Sequence, residues 1–86
     1  MTVTLLTKAN CEYCVRAKEI LTRLGTEISF EIHVVDLESA SGQALAAQHG
    51  VLFAPGILID GRLSTFGRPS ERRLRRDLLA AHGVDG

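Results

Sequence analysis

The chain has 86 residues and a mass of 9.3 kDa, which is typical of a single domain, residues 1–86. Hydrophobic residues make up 45% of it, which is enough for one core. Ten basic residues balance ten acidic ones, so the formal net charge is zero, which argues against a protein that wraps nucleic acid. No apolar run exceeds four residues, far below the roughly 20 of a membrane span, and no basic residue precedes the N-terminal apolar stretch, so we expect a cytoplasmic chain that binds no membrane.

A strand and a helix are predicted at the start of the chain. Residues 3–7 form a short run of β-type residues that ends in a polar loop. From Cys14 onward the apolar residues fall within a sector of about 120° of the helical period: Cys14, Ala17, Ile20, Leu21 and Leu24. Gly25 is placed to end this helix, as a glycine after the last turn commonly does.

A second strand and a second helix follow. Apolar and polar residues alternate over residues 28–34, a period of two that predicts a strand. The apolar Val35 comes directly after it, which indicates that the end of the strand is buried on both faces. Residues 36–39 lead into a helix that has Ala44, Leu45 and Ala47 as its apolar positions and that Gly50 closes.

A proline and a turn signal predict a hairpin in the second half of the chain. Pro55 cannot donate to a central strand ladder, so it marks the entry to a strand over residues 57–59. Asp60-Gly61 is typical of a tight hairpin turn, and residues 62–66 are therefore expected to return antiparallel.

The last predicted element is a helix with Ser70 as its N-cap. Its apolar face carries Leu74, Leu78 and Leu79, Gly83 ends it, and residues 84–86 are expected to fray. The predicted order is βαβαββα, an α/β fold with a four-stranded mixed sheet flanked by helices. Its first two strands, joined by a right-handed crossover, are parallel neighbours.

The two cysteines are the strongest chemical signal. Cys11 and Cys14 are separated by two residues and lie where the first strand gives way to the first helix. A secreted disulfide-stapled protein carries more cysteines, and a structural zinc site needs a second pair of ligands, which the isolated histidines do not supply. Such a pair beside a strand–helix alternation indicates a redox motif without a metal.

The order of elements, the Cys-x-x-Cys and the proline before the third strand resemble the thioredoxin superfamily. Within it, the chain looks like the glutaredoxins and glutaredoxin-like redoxins, over essentially its whole length. Cys11-Glu12-Tyr13-Cys14 is similar to the glutaredoxin Cys-Pro-Tyr-Cys, with Glu12 in place of the proline. Lys8 precedes the first cysteine by three residues, as a lysine does in many glutaredoxins. Ala54-Pro55 takes the place of the family's Val-Pro or Thr-Pro, whose proline is cis.

The resemblance implies a small thiol–disulfide oxidoreductase, an electron-transport protein that reduces protein or mixed disulfides through a redox-active dithiol. It implies a monomer with no bound cofactor, and glutathione or another low-molecular-weight thiol as a co-substrate. Glutaredoxins hold glutathione with a Gly-Gly pair and an acidic residue, whereas this chain has the single Gly67 followed by Arg68. That segment is closer to the Ser-Gly-Phe-Arg-Pro of the redoxins that reduce ribonucleotide reductase, which favours a reductase of the thioredoxin reductase type as the donor.

The two cysteines are expected to have different tasks. Extended back from Cys14, the helical period places Cys11 about 60° outside the apolar sector, so Cys11 faces solvent at the helix N-terminus and Cys14 is shielded. Cys11 is therefore expected to attack the substrate and Cys14 to resolve the mixed disulfide. Lys8 adds a favourable charge to the Cys11 thiolate, while Glu12 opposes it and should make the protein a stronger reductant.

Substrate contacts are predicted around the proline as well as around the cysteines. With a cis bond at Pro55, the backbone of Ala54 is free to pair with an extended substrate segment. Tyr13, Val15 and Phe53 are expected to add side-chain specificity; Val15 is apolar although it lies outside the buried sector of its helix. Gly67 and Arg68 complete the candidate binding residues.

Two other classes of function remain open at this point. Copper-transfer domains also place a Cys-x-x-Cys between a first strand and a first helix, and two soft thiolates suit Cu(I). Their βαββαβ order, however, has a strand hairpin where residues 37–50 here indicate a helix. The third interpretation is a binding module that keeps the thioredoxin fold and binds partners through Ala54-Pro55 without turnover.

Overall fold

The computed structural model describes residues 1–83, so the predicted fraying of residues 84–86 lies outside the described part of the chain. The elements are β1 (Thr2–Thr7), α1 (Glu12–Leu24), β2 (Glu31–Asp36), α2 (Ala40–His49), β3 (Gly56–Ile59), β4 (Arg62–Phe66) and α3 (Glu71–His82). This is the predicted βαβαββα order. No helix within residues 1–83 has the length and apolar character needed to cross a membrane.

The four strands form one mixed sheet in the order β2-β1-β3-β4. β1 is parallel to β2 and antiparallel to β3, and β3 is antiparallel to β4. The predicted sheet is therefore confirmed. Because α2 occupies the position where the copper-transfer order has a strand hairpin, the fold is not that of a copper-transfer domain.

The main core lies between the central strands and the pair of helices α1 and α3. Successive residues of a strand point to opposite faces, and the residues on this face of β1 and β3 are almost fully buried against the apolar sides of α1 and α3. The core comprises Val3, Leu5, Ala17, Ile20, Leu21, Leu24, Ile28, Ile57, Ile59, Leu74 and Leu78. All five residues predicted for the apolar face of α1 are buried.

The turn between β3 and β4 has the predicted hairpin geometry. Asp60 and Gly61 both have positive φ, of 49° and 81°, as a type I′ turn requires at its two central positions. Ser39 and Ser70 cap α2 and α3 with their hydroxyls, and Gly50 ends α2 in the left-handed conformation.

The second strand departs from its prediction in two ways. β2 begins at Glu31, not at residue 28, because the chain makes further turns after α1: the N–H of Ile28 donates to the carbonyl of Leu24 at 2.9 Å. Ile28 is buried in the core all the same. The expectation that the end of this strand is buried on both faces is wrong, because β2 is an edge strand and Val34 is 54% exposed.

Gly25 directly follows Leu24, the last residue of α1, as predicted, and it has a right-handed φ of −64°. Two other helix predictions are wrong in detail. Leu79 is half-exposed, because it lies about 100° around α3 from the buried Leu78. In α2 neither Ala44 nor Ala47 is buried, since that helix approaches the rest of the protein through Gly42.

Ion pairs join the end of α1 to the start of α3. Arg23 donates to Glu71 at 2.7 Å, and Arg75 pairs with Glu27 and, at 3.8 Å, with Glu71. The hydrogen bond from Arg23 lowers the pKa of the Glu71 carboxyl. Exposed pairs of this kind contribute little free energy.

Gly42 is the position at which a side chain is least tolerated. A Cβ there would lie 2.0 Å from the backbone oxygen of Asp36, at the end of β2. We expect Gly42→Ala to lower the free energy of unfolding by about 3 kcal/mol or more, since overpacking against backbone forces α2 to move. Denaturant unfolding followed by circular dichroism measures this loss.

Gly25→Ala is the matched control for that substitution. Gly25 is exposed and right-handed, and a Cβ there would come no nearer than 3.3 Å to a backbone oxygen, so alanine should change the free energy of unfolding by about 1 kcal/mol or less. Equal losses in the two variants would contradict the close contact at Gly42.

Candidate active site

Cys11 is the N-cap residue of α1. The chain leaves β1 and turns through Asn10, whose φ of 56° is in the left-handed region that asparagine tolerates better than most residues. Cys11 itself is extended, with φ −115° and ψ 108°, and its Sγ accepts a hydrogen bond from the backbone N–H of Cys14 at 3.1 Å. The sulfur thus takes the capping role that a serine or aspartate oxygen usually has.

Cys11 and Cys14 form a disulfide bond, with their Cα atoms 5.2 Å apart. The two residues differ in exposure: Cys14 is 5% exposed and packs on the buried side of α1, whereas Cys11 is half-buried at its start. In the reduced state, a thiolate at Cys11 would face unpaired N–H groups of the first helical turn and the positive end of the helix dipole. Both contributions stabilise a negative sulfur.

A surface groove of about 690 Å³ lies beside this pair, and we name it the α1–β2 groove. Besides the two cysteines it is lined by three residues predicted from the sequence, Lys8, Glu12 and Val15, and by four that were not: Thr7, Asn10, Lys18 and Val34. The spacing of Lys18 does indicate its position, because it follows Cys11 by seven residues and Cys14 by four and so lies on their side of the helix. No feature of the sequence indicates that Val34 is exposed, since its exposure depends on the place of β2 in the sheet.

The remaining predicted residues lie mainly in a second cluster around Pro55. The Ala54–Pro55 peptide bond is cis, and the Pro55 carbonyl accepts from the N–H of Gly67 at 2.8 Å. Gly56 pairs with Leu6, so Pro55 lies at the end of the sheet from which the Cys11 loop leaves. Within residues 1–83, the backbone of Ala54 makes no hydrogen bond.

Two phenylalanines form the wall of this second cluster. The rings of Phe53 and Phe66 are 5.6 Å apart, and Phe53 is 61% exposed. Gly67 comes next with a φ of 82°, and a Cβ there would lie 3.7 Å from the Phe53 ring. Phe66 was missed by sequence analysis, because only the β3–β4 pairing brings it to Phe53.

Tyr13 and Arg68 belong to neither set of residues. The guanidinium carbon of Arg16 lies 5.8 Å from the centre of the exposed Tyr13 ring. Arg68 is exposed, and no hydrogen bond or ion pair connects it to the other described residues. The structure therefore brings Lys8, Glu12 and Val15 to the cysteines and groups Phe53 with Pro55 and Gly67.

Comparison with known proteins gives the family. A family model described as Glutaredoxin matches residues 3–64. The uncharacterized proteins Rv0508 of Mycobacterium tuberculosis and Mb0520 of Mycobacterium bovis are each 37% identical over 79 residues, which cover 88% of this chain and 80% of the relative.

Solved structures agree with this assignment. Glutaredoxin C1 of Populus tremula x tremuloides, in its holo form, has a TM-score of 0.65 at 30% identity, with 96% of this chain and 76% of that chain covered. Oxidized Escherichia coli glutaredoxin has a TM-score of 0.63 at 25% identity with both chains fully covered. A thioredoxin mutant from Halobacterium salinarum shares the fold, with a TM-score of 0.72 at 19% identity over 94% of this chain and 74% of that one. The family match, the fold and the position of the cysteine pair together place this chain in the glutaredoxin family.

Proposed function

We propose that this protein is a thiol–disulfide oxidoreductase that reduces protein or mixed disulfides through Cys11 and Cys14, without a bound cofactor. The observation that carries the proposal is the asymmetry of the pair. Cys11 caps α1 with its sulfur and is half-buried beside the α1–β2 groove, while Cys14, its disulfide partner, is buried one turn along the same helix. An exposed nucleophile and a shielded resolving thiol are what disulfide exchange requires.

The first step starts from the reduced protein. The Cys11 thiolate attacks one sulfur of the substrate disulfide, and a new S–S bond joins Cys11 to that sulfur. The substrate S–S bond breaks, and its other sulfur leaves as a thiolate that takes a proton from water. The N–H of Cys14, which bonds the Cys11 sulfur in the oxidized state, and the helix dipole favour the attacking thiolate.

The second step resolves the mixed disulfide. The Cys14 thiol loses its proton and attacks the Cys11 sulfur, the Cys11–Cys14 bond forms, and the second substrate sulfur leaves and is protonated. In sum the substrate gains two electrons and two protons, and the protein dithiol loses them. The product is the disulfide form that the structure contains.

The segment around Pro55 supports a role in binding the substrate backbone. The N–H and C=O of Ala54 have no partner within residues 1–83, so an extended substrate segment could pair with them as an added strand. Phe53 offers an exposed aromatic surface next to this position. Tyr13, on the first turn of α1, is also exposed and follows Cys11 by two residues.

We expect the two cysteine variants to differ in kind. Cys11→Ser should abolish the reduction of insulin disulfides by the pre-reduced protein, because the nucleophile is lost. Cys14→Ser should retain the attack and accumulate mixed disulfides, because no thiol resolves them. Non-reducing electrophoresis and mass spectrometry of each variant after exposure to an oxidized protein substrate detect these species.

Each variant serves as the control of the other, since they differ only in which sulfur is removed. Trapping by Cys11→Ser but not by Cys14→Ser would reverse the assigned roles. Turnover that survives in Cys11→Ser would contradict the mechanism. A wild-type protein that binds such substrates without reducing them would instead be a binding module.

Glu12 is expected to make the protein a stronger reductant. It is the first residue of α1, directly after Cys11, and its carboxylate disfavours a second negative charge nearby. Because a destabilised thiolate raises the free energy of the reduced form, Glu12→Pro should raise the reduction potential, on the order of 30 mV for each tenfold change in the redox equilibrium. Equilibration against a glutathione redox buffer measures the potential.

Glu12→Gln separates charge from backbone in this experiment. Proline is well tolerated at the first helical position, and glutamine removes the charge without restricting φ. Both variants should shift the potential upward. An unchanged or lower potential in both would show that the Glu12 charge does not act on the couple.

The electron donor is predicted from the segment that follows β4. The family resemblance implies that a chain that binds glutathione has a Gly-Gly pair and an acidic residue in this segment. This chain instead has Gly67 followed by the exposed Arg68. NADPH oxidation during substrate turnover should therefore be several times faster with thioredoxin reductase than with glutathione and glutathione reductase. The opposite order would make glutathione, or a related thiol, the donor.

A further inference from the structure

The α1–β2 groove has an exposed apolar floor next to the disulfide. Val15 of α1 is 61% exposed and Val34 of β2 is 54% exposed, and both line the groove together with Cys11. Val34 pairs with Leu5 in the β1–β2 register, so it lies on the sheet face that α1 covers, but one strand further out. An apolar side chain of a bound segment would find contact with both valines here.

The charge in this groove is mainly positive, with two lysines and one glutamate in its lining. Lys8 and Lys18 both line it, and neither forms an ion pair within residues 1–83. Glu12 is the one acidic residue of the lining. Elsewhere on α1 the situation differs, because Arg23 is paired with Glu71. Free ammonium groups beside an apolar floor suit a segment with a carboxylate.

The spacing of Lys18 from the reactive sulfur fixes where that carboxylate should be. Lys18 follows Cys11 by seven residues along α1, which corresponds to about 10 Å at the helical rise. Helical side chains lean towards the N-terminus of their helix, so the Lys18 ammonium reaches back towards Cys11. Alternate residues of an extended chain point to the same side and lie about 7 Å apart. An acidic residue two positions from a substrate cysteine would therefore face Lys18 while its cysteine faces Cys11.

We propose that the α1–β2 groove selects disulfide substrates in which an acidic residue lies two positions from the reactive cysteine. Lys18, assisted by Lys8, pairs with that residue, and Val15 and Val34 contact apolar parts of the same segment. The inference rests on the proposed function, since it assigns the substrate class of the same cysteines. It concerns the side of Cys11 that faces β2, not the backbone of Ala54.

Two peptide substrates test this preference directly. Each is a symmetric disulfide dimer, and they differ only in having Glu or Gln at the second residue on both sides of the cysteine. The pre-reduced wild-type protein is mixed with each peptide in a single turnover, so that no electron donor is needed. Each rate is divided by the rate at which dithiothreitol reduces the same peptide, which corrects for the intrinsic reactivity of its disulfide. We expect the Glu peptide to be reduced about fivefold faster at low salt, and the ratio to fall towards one near 1 M salt because of screening.

Substitutions of one residue assign the preference to the groove. Lys18→Glu should abolish or invert the ratio of the two rates, whereas Lys18→Arg, which keeps the charge, should preserve most of it. Arg72→Glu is the matched control, because it makes the same change in net charge at an exposed position of α3 and should leave the wild-type preference in place.

The outcomes separate this inference from the proposed function. Equal rates for the two peptides with the wild-type protein would overturn the inference alone, as would a preference that Lys18→Glu leaves intact. If Arg72→Glu removed the preference as fully as Lys18→Glu, the preference would be due to the net charge of the protein, and this would also overturn the inference. Failure to reduce either peptide would overturn the proposed function together with it.

Discussion

The hydrogen bond from the Cys14 amide to the Cys11 sulfur links the fold of this protein to its chemistry. It makes a cysteine the cap of α1, so the N–H groups that need a partner at a helix start are available to the sulfur that we propose as the nucleophile. The cap is held in place because the apolar face of α1 is buried from Cys14 to Leu24. The Cys11 sulfur is thus positioned by the core, although it lies outside it.

The sheet order explains why the two sides of Cys11 differ. On one side lie β3 and the segment around Pro55, with unpaired backbone groups and an aromatic wall. On the other side lies the edge strand β2, which leaves Val34 uncovered and opens the α1–β2 groove. The two proposed substrate contacts, the backbone of Ala54 and the α1–β2 groove, therefore lie on different sides of Cys11.

Much of the fold could be predicted because its signals are local. Ser70 as a cap, Gly50 as a helix end and the Asp60-Gly61 turn each depend on a few neighbouring residues, and each is found as predicted. The order of elements follows from them, and the apolar face of α1 follows from its period.

The errors concern properties that depend on the assembled sheet. Val34 continues the apolar alternation of its strand, and only the position of β2 at the edge exposes it. Ile28 is in step with the same alternation, yet its amide bonds to Leu24 and it belongs to the turns after α1. The groove residue Lys18 is similar: its helical spacing is readable, but the valine it faces across the groove is brought there by a parallel strand pairing that sequence periodicity does not encode.

The covalent ring closed by Cys11 and Cys14 spans a single helical turn, with a sequence separation of three. A loop this short restricts the unfolded chain only modestly, by about 2 kcal/mol in the chain-entropy description. Unfolding and reduction of this disulfide form a thermodynamic cycle, in which the entropy of the unfolded ring is a small contribution. The free energies of unfolding of the oxidized and reduced proteins, measured under identical conditions, therefore differ by the difference in reduction free energy between the native and the unfolded chain.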